Sequence, residues 1–283
     1  MIRKVLVYPN EKRDCAYCHT QKALSFLRSQ GAETYVPSDM VEVVGAEPLQ
    51  RKETLDLAIA LGGDGTMIQA AHFLLGTGVP ILGINLGTLG YLTEAEPGTL
   101  ETSLQQVLEG RFQVESRLIL EAEVTPFGHE EQKELLWAIN DFVIHRNLLD
   151  GLLTIDTYVN DDFLAKFRAD GVIVASPCGS TAYNFSAGGP ILNPVADNLI
   201  LTPLCSHAMM DRSIVLMGQD QLRFQIAASS KGKEALLSAD GAQTISLSEG
   251  TWISVKKSKY TFPMVKLLQR SFYEVLQKKM RPL

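Results

Sequence analysis

Leu57-Ala58-Ile59-Ala60-Leu61-Gly62-Gly63-Asp64-Gly65-Thr66 is the stretch on which the fold turns. Five apolar residues run without interruption into Gly-Gly-Asp-Gly-Thr, and a helical pattern follows. Such a run, short and bounded by glycine, reads as a buried parallel strand. Three glycines around one acid free the backbone for unusual turns and let a bulky ligand lie against main-chain amides. At the carboxyl end of a strand, opening onto a helix, the loop suits phosphate. The acid in its middle repels phosphate, so Asp64 fits best a proton or a hydroxyl. The alternative is a tight strand–helix turn in which Asp64 is the N-cap.

Working outward, Val5-Leu6-Val7-Tyr8 reads as a first strand, and residues 16–30 as a helix with Ala23, Leu24, Phe26 and Leu27, ending near Gly31. Thr34-Tyr35-Val36 is a second strand. After the glycine loop a helix carries Met67, Ile68, Ala71 and Phe73-Leu74-Leu75, Gly76-Thr77-Gly78 stops it, and Val79 to Ile84 form another strand. Alternation of strands and helices at these lengths predicts a doubly wound α/β domain with a parallel sheet. Near residue 111 the texture changes. Ile119-Leu120-Glu121-Ala122-Glu123-Val124 alternates apolar with polar, and short runs recur at 135–145, 152–159, 163–168, 171–175, 221–227, 244–247 and 251–256. Turn signals such as Asn160-Asp161-Asp162 and Ser248-Glu249-Gly250 separate them. The expectation is a C-terminal, mostly β, sandwich-like domain over 112–265. The α/β domain would take 1–111 and a returning tail, 266–283, with a helix from Ser271 to Lys279.

A length of 283 residues, 46% hydrophobic and 20% charged, is ordinary for one large or two modest globular domains. A net charge of −6 argues against a general nucleic-acid or anionic-membrane partner, so an anionic ligand has to be met by local groups. No stretch suits a signal peptide or membrane span, and a cytoplasmic protein is expected. Cys15-Ala16-Tyr17-Cys18-His19 has the spacing of a c-type haem site. It lies at the start of an expected helix with no export signal, and Cys178 and Cys205 are too isolated to complete a zinc site. Neither haem nor structural zinc is expected, and the cysteines are read as reduced thiols.

Three further clusters carry polar chemistry. Gly83-Ile84-Asn85-Leu86-Gly87-Thr88-Leu89-Gly90-Tyr91 follows a strand but lacks the G-x-G-x-x-G spacing, and the chain holds no G-x-x-x-x-G-K-[ST]. Asn140-Asp141 stands inside an apolar run, where neighbouring side chains diverge unless the strand bulges or ends. A buried Asn or Asp there needs partners, such as a ribose or adenine. The strand Gly171–Ala175 feeds Ser176-Pro177-Cys178-Gly179-Ser180-Thr181-Ala182-Tyr183, continuing to Gly188-Gly189-Pro190. Hydroxyls, exposed amides and one ring are what a nucleoside requires.

With these clusters in this order, the chain resembles bacterial NAD kinases over nearly its whole length, most specifically in Gly179-Ser180-Thr181-Ala182-Tyr183 and Gly188-Gly189-Pro190. The resemblance implies phosphorylation of the adenosine-ribose 2′-hydroxyl of NAD by ATP accompanied by Mg²⁺ or another divalent cation, in a homodimer or homotetramer with the NAD site near the subunit interface. It implies Asp64 as the catalytic acceptor of the hydroxyl proton. Gly62, Gly63, Gly65 and Thr66, with Gln69 further along the helix, would meet the donor phosphates. Asp64, Gly65, Asn140, Asp141, Arg168, Asp170, Thr181, Ala182, Tyr183, Asn184, Phe185 and Ser186 would hold NAD, and Tyr91 would lie near the ligand.

The chain departs from that family at a few positions. Gln69 and Thr88 stand where basic residues are common, Ala242 where Gln is usual, Cys178 where Thr is usual and Ser206 where Pro is usual. The first two remove plausible phosphate contacts. The alternatives are another kinase sharing only the GGDGT loop, acting on a lipid or sugar, or a non-catalytic NAD-binding protein.

Overall fold

A computed structural model describes residues 2–129, 131–147, 151–207, 211–227, 235–267 and 270–280. Residues 281–283 of the expected tail lie outside the described residues. The chain divides into two compact units, Met1–Ser116 with Thr261–Leu283, and Arg117–Tyr260.

In the first unit, strands β1 (Lys4–Pro9), β2 (Glu33–Val36), β3 (Glu47–Pro48), β4 (Leu57–Gly62) and β5 (Ile81–Asn85) alternate with helices α1 (Cys18–Ser29), α2 (Val41–Val44), α3 (Asp64–Phe73) and α4 (Leu100–Leu108). The strands pair in parallel in the order β3-β2-β1-β4-β5. Strand side chains alternate between faces. Val5, Val7, Leu57, Ile59, Leu61, Leu82 and Ile84 share one core with Ala23, Leu24 and Leu27 of α1 and Leu100, Leu104 and Val107 of α4. Each large side chain buried there contributes about 1.5–3 kcal/mol over leaving it in water. The opposite face presents the smaller Ala58 and Ala60 and the ring of Tyr8, whose centroid lies 5.7 Å from Phe73 of α3. Helices on both faces make the sheet doubly wound.

The expected first helix starts later than its pattern suggests. Residues Cys15–Tyr17 form a 3₁₀ turn with Ala16 and Tyr17 at positive φ, and α1 begins at Cys18. Its cap comes from outside the usual position. The Asp14 carboxylate accepts from His19 N (2.9 Å), Thr20 N (2.8 Å) and Thr20 Oγ1 (2.6 Å). Cys15 and Cys18 are exposed thiols on this turn.

The second unit is built from strands β6 (Gln113–Thr125), β7 (Glu134–Ala138), β8 (Asp141–Arg146), β9 (Leu153–Val159), β10 (Asp162–Ala169), β11 (Gly171–Ala175), β12 (Asn198–Leu204), β13 (Ile214–Met217), β14 (Leu222–Ile226), β15 (Ala235–Ala239), β16 (Gln243–Leu247) and β17 (Trp252–Lys266), with one short helix, α5 (Tyr183–Ser186). One antiparallel sheet has the order β13-β12-β11-β8-β15-β16. Antiparallel β10-β9-β14-β17, with β6 joined to β17 and β7, forms the other layer. Phe142, Ile144, Val172, Val174, Leu199 and Leu237 of the first layer meet Ile155, Phe167, Phe224, Ile253 and Val255 of the second in one core, which is a sandwich. The run at 135–145, expected as one strand, is two, broken at Ile139-Asn140. Strands β12, β13 and β15 carry weak alternation and were not foreseen; β12 even contains Pro203.

From Thr261, within β17, the chain returns to the first unit, where Met264 pairs in parallel with Ile81. Helix α6 (Phe272–Lys279) is closed by a capping box: Ser271 Oγ accepts from Glu274 N (3.2 Å) and Glu274 Oε2 accepts from Ser271 N (3.4 Å). Phe272 packs 6.2 Å from the ring of Tyr91, and Lys279 Nζ lies 4.3 Å from the centroid of that ring.

Candidate active site

The strand order of the first unit reverses between β1 and β4, so the loops leaving those strands diverge and a crevice is left at their carboxyl ends. Open α/β sheets bind ligands at this switch point. Gly63 connects β4 to α3 as the N-cap, and Asp64 is the first helical residue. Asp64 does not cap its own helix. Its two carboxylate oxygens accept from Tyr91 N (2.8 Å) and Leu92 N (2.9 Å), binding the loop after β5 to the helix start. Each oxygen keeps a further acceptor position. The crevice is braced by Leu86 N donating to Gly62 O (2.6 Å) and by Asn10 Nδ2 donating to Thr66 Oγ1 (2.7 Å). Thr66, expected to touch donor phosphates, is buried, and its hydroxyl also accepts from Gly63 N at 3.4 Å. Its side chain braces the loop. Gly65 and Gln69 are exposed on α3.

The second unit holds a cavity of about 620 Å³ whose lining includes Asn140, Asp141, Asp170, Ala182, Tyr183 and Asp240. The chain breaks between β7 and β8, which lets Asn140 and Asp141 both reach it. One residue makes the break stable. Asp240, at φ +49° in the turn after β15, accepts from Ile139 N (2.8 Å), Asn140 N (2.7 Å) and Asp141 N (3.2 Å), and its own N–H donates to Asp141 O (3.0 Å). Three backbone donors freed by the interrupted strand are thereby satisfied. Burial, and then the negative charge of Asp240, raise the Asp141 carboxyl to about 7. Asp170 pairs with Arg146 Nε at 2.6 Å and lines the same cavity.

The small-residue segment after β11 wraps the outer face of the six-stranded sheet, where Ala187 and Leu192 pack on Val143, Ile173 and Ile200. Its path requires glycine at 179, since a Cβ there would stand 2.0 Å from Asn140 O. Ser176 N donates to Asn140 O (2.8 Å), joining the segment to the strand break. Ala182 and Tyr183 reach the cavity, and Tyr183 is half exposed. Asn184, expected among the NAD contacts, is fully buried: its Nδ2 donates to Ser180 O (3.2 Å) and Pro190 O (3.1 Å), and its Oδ1 accepts from Thr202 Oγ1 (2.7 Å). The amide is spent as a strut that holds the segment's shape. Thr181 is half-buried, Phe185 and Ser186 are exposed, and Arg168 is exposed on the edge strand β10. These four are not among the residues lining the cavity.

Sequence reasoning missed Asn10, Asp240 as an anchor, Arg146 and the amides of Tyr91 and Leu92. Only Asp240-Gly241 carried a local signal, as a turn dipeptide. Among the described residues no group of three or more His, Cys, Asp or Glu is placed to hold a metal ion.

A glycine-flanked acid at the switch point of a parallel sheet, and a cavity lined by carboxylates, an amide and a ring in a β unit, are the equipment of a nucleotide-dependent phosphotransferase. Residues 12–112 match the family described as the ATP-NAD kinase N-terminal domain, and residues 139–267 the ATP-NAD kinase C-terminal domain. The chain belongs to the NAD kinase family. It is 36% identical over 281 residues to the NAD kinase of Lachnoclostridium phytofermentans, covering 98% of this chain and 99% of that one. To the NAD kinase of Carboxydothermus hydrogenoformans it is 38% identical over 236 residues, 83% of each chain. Among solved structures it is similar to an NAD kinase from Archaeoglobus fulgidus in complex with ATP, with TM-score 0.74, 25% identity and 98% of each chain covered. Yeast NADH kinase complexed with NADH shares the fold, with TM-score 0.87 at 23% identity over 98% of this chain and 86% of that one.

Proposed function

We propose that the chain transfers the terminal phosphoryl group of ATP to the 2′-hydroxyl of the adenosine ribose of NAD, giving NADP and ADP. The observation that carries this reading is the match of both NAD kinase domains in order, with Asp64 at the head of α3 holding open acceptor positions on its carboxylate. In the transfer, the ribose oxygen bonds to the γ-phosphorus, the bond from that phosphorus to the bridging oxygen breaks, and the hydroxyl proton passes to Asp64. Phosphoryl transfer has a loose transition state, so positioning and charge neutralisation supply most of the acceleration. Mg²⁺ travels with ATP as part of the donor and shields its charge from Asp64. The backbone of Gly62, Gly63 and Gly65 lets the phosphates approach closely. Asn140, Asp141 and Asp170 hold ribose hydroxyls, and Ala182 and Tyr183 offer the adenine an apolar surface and a ring.

The finer reading is of a cytoplasmic homodimer or homotetramer. Cys15, Cys18 and Cys205 stand exposed, in keeping with a reducing compartment. Arg168, exposed and not among the residues lining its own chain's cavity, is suited to reach a dinucleotide held by a neighbouring copy. Light scattering of the purified chain checks assembly: a monomer would remove the inter-subunit role for Arg168. The activity is tested by incubating the protein with NAD, ATP and Mg²⁺ and reading NADP with an NADP-specific dehydrogenase. Product well above a no-enzyme control is expected, and its absence would overturn the reading.

A further inference from the structure

We infer that Arg13, on the loop after β1, is the cation that meets the phosphates of the donor; the inference rests on the kinase reading above. Two positions beside the glycine loop are uncharged, Gln69 on α3 and Thr88 in the loop after β5. Topology supplies a cation from elsewhere. β1 and β4 are neighbours on either side of the switch point, with Pro9 opposite Leu61, so the two loops start side by side before they diverge to opposite faces of the sheet. Asn10 Nδ2 ties the first loop to the second through Thr66 Oγ1. Arg13 N and Asp14 N then donate back to Asn10 O at 3.1 and 2.9 Å, closing a compact turn. This turn lays the guanidinium over the glycine loop. A Cβ on Gly63 would stand 3.5 Å from Arg13 Nη1, and one on Gly87 only 2.5 Å from it. The cation thus occupies space that a side chain at 87 would take and lies in van der Waals reach of position 63.

That placement has no structural purpose that its contacts account for. Asp14, the adjacent acid, spends its carboxylate on the start of α1. Arg13 itself is exposed, and among the described residues its guanidinium has neither a hydrogen-bond acceptor nor an ion-pair partner. A planar fork of donors held against bare glycine backbone at a strand-to-helix loop matches a polyphosphate, whose oxygens accept two parallel N–H bonds. Lysine would keep the charge and lose the fork.

Steady-state kinetics at saturating NAD and fixed free Mg²⁺, with ATP varied, test the assignment on Arg13→Gln and Arg13→Lys. The KM for ATP is expected to rise about tenfold in Arg13→Gln, the low end for a charge-assisted bond at an exposed site. Arg13→Lys should fall between, with the KM for NAD unchanged in both. Tripolyphosphate, a probe without base or ribose, should bind Arg13→Gln several-fold more weakly by calorimetry. An active Arg13→Gln enzyme with wild-type KM for ATP and wild-type tripolyphosphate affinity would overturn the inference. If the wild-type chain makes no NADP, the functional reading fails by itself. The tripolyphosphate comparison then still decides for or against Arg13.

Discussion

The switch-point loop and the sandwich cavity solve the same problem, holding polar groups ready for a nucleotide, by opposite means. In the loop, consecutive residues do most of the work. Gly62, Gly63 and Asp64 are adjacent, and the bracing bonds from Asn10 and Leu86 come from the neighbouring strand ends. In the cavity the parts come from segments far apart in the chain. Asp240 reaches back 101 positions to hold Ile139 N, and the Ser176–Pro190 segment arrives from another strand. The loop keeps its acid half-exposed and tied to amides. The cavity buries Asp141 beside a second carboxylate and pushes its proton affinity up to about 7. A carboxyl in such a buried cleft is tuned mainly by lost water.

Substitution can break this division of labour, and the largest effect belongs to the loop. Asp64→Asn keeps one acceptor oxygen for the two amides of Tyr91 and Leu92 and cannot take a proton. Turnover should fall about 10²–10⁴-fold, the range for losing a positioned acid–base group. NAD affinity, measured by calorimetry, should stay close to wild type. A variant retaining near-normal turnover would remove Asp64 from the chemistry.

Next is the anchor of the cavity. Asp240→Ala leaves three backbone N–H groups without their acceptor, and stability in urea denaturation should drop by about 2–4 kcal/mol. The KM for NAD should rise well beyond tenfold while the KM for ATP stays put. Equal changes in both would show that the two sites are not separable in the way their construction suggests. Asp240→Asn, which retains one acceptor oxygen, should recover part of the loss.

The same contrast governs what could be read from the chain. The loop was legible because strand, turn and helix follow one another, and glycine around an acid is rare without a reason. The doubly wound sheet followed from alternating apolar runs, and the sandwich from the change of texture near residue 111. The role of Asn184 was not legible, since an amide that binds ligand and one that binds Ser180 O and Pro190 O look alike in sequence. The bracing bond of Thr66 was not legible for a similar reason: its hydroxyl accepts from Asn10, which stands 56 positions away. The break between β7 and β8 could be suspected from Asn140-Asp141, but only the tertiary structure identifies Asp240 as the residue that makes it affordable.

The smallest expected effect is the one that separates a ligand-binding Asp141 from a merely buried one. Its folded proton affinity lies above that of the unfolded chain, so the native state holds the extra proton between the ordinary carboxylate range and about pH 7. Its contribution to stability therefore falls as pH rises through that window. Ligand binding runs the other way. Ribose hydroxyls donating to Asp141 favour the carboxylate, so the KM for NAD should fall as pH rises from 6 to 8, by about tenfold at most if only the ionised form binds. Asp141→Asn should flatten this step while raising the KM for NAD throughout. The KM for ATP, set in the loop, should not share it. A pH-independent KM for NAD in the wild-type enzyme would leave Asp141 as a buried acid without a part in binding. The cavity would then hold its ligand through Asn140 and Asp170, with no titrating group in contact.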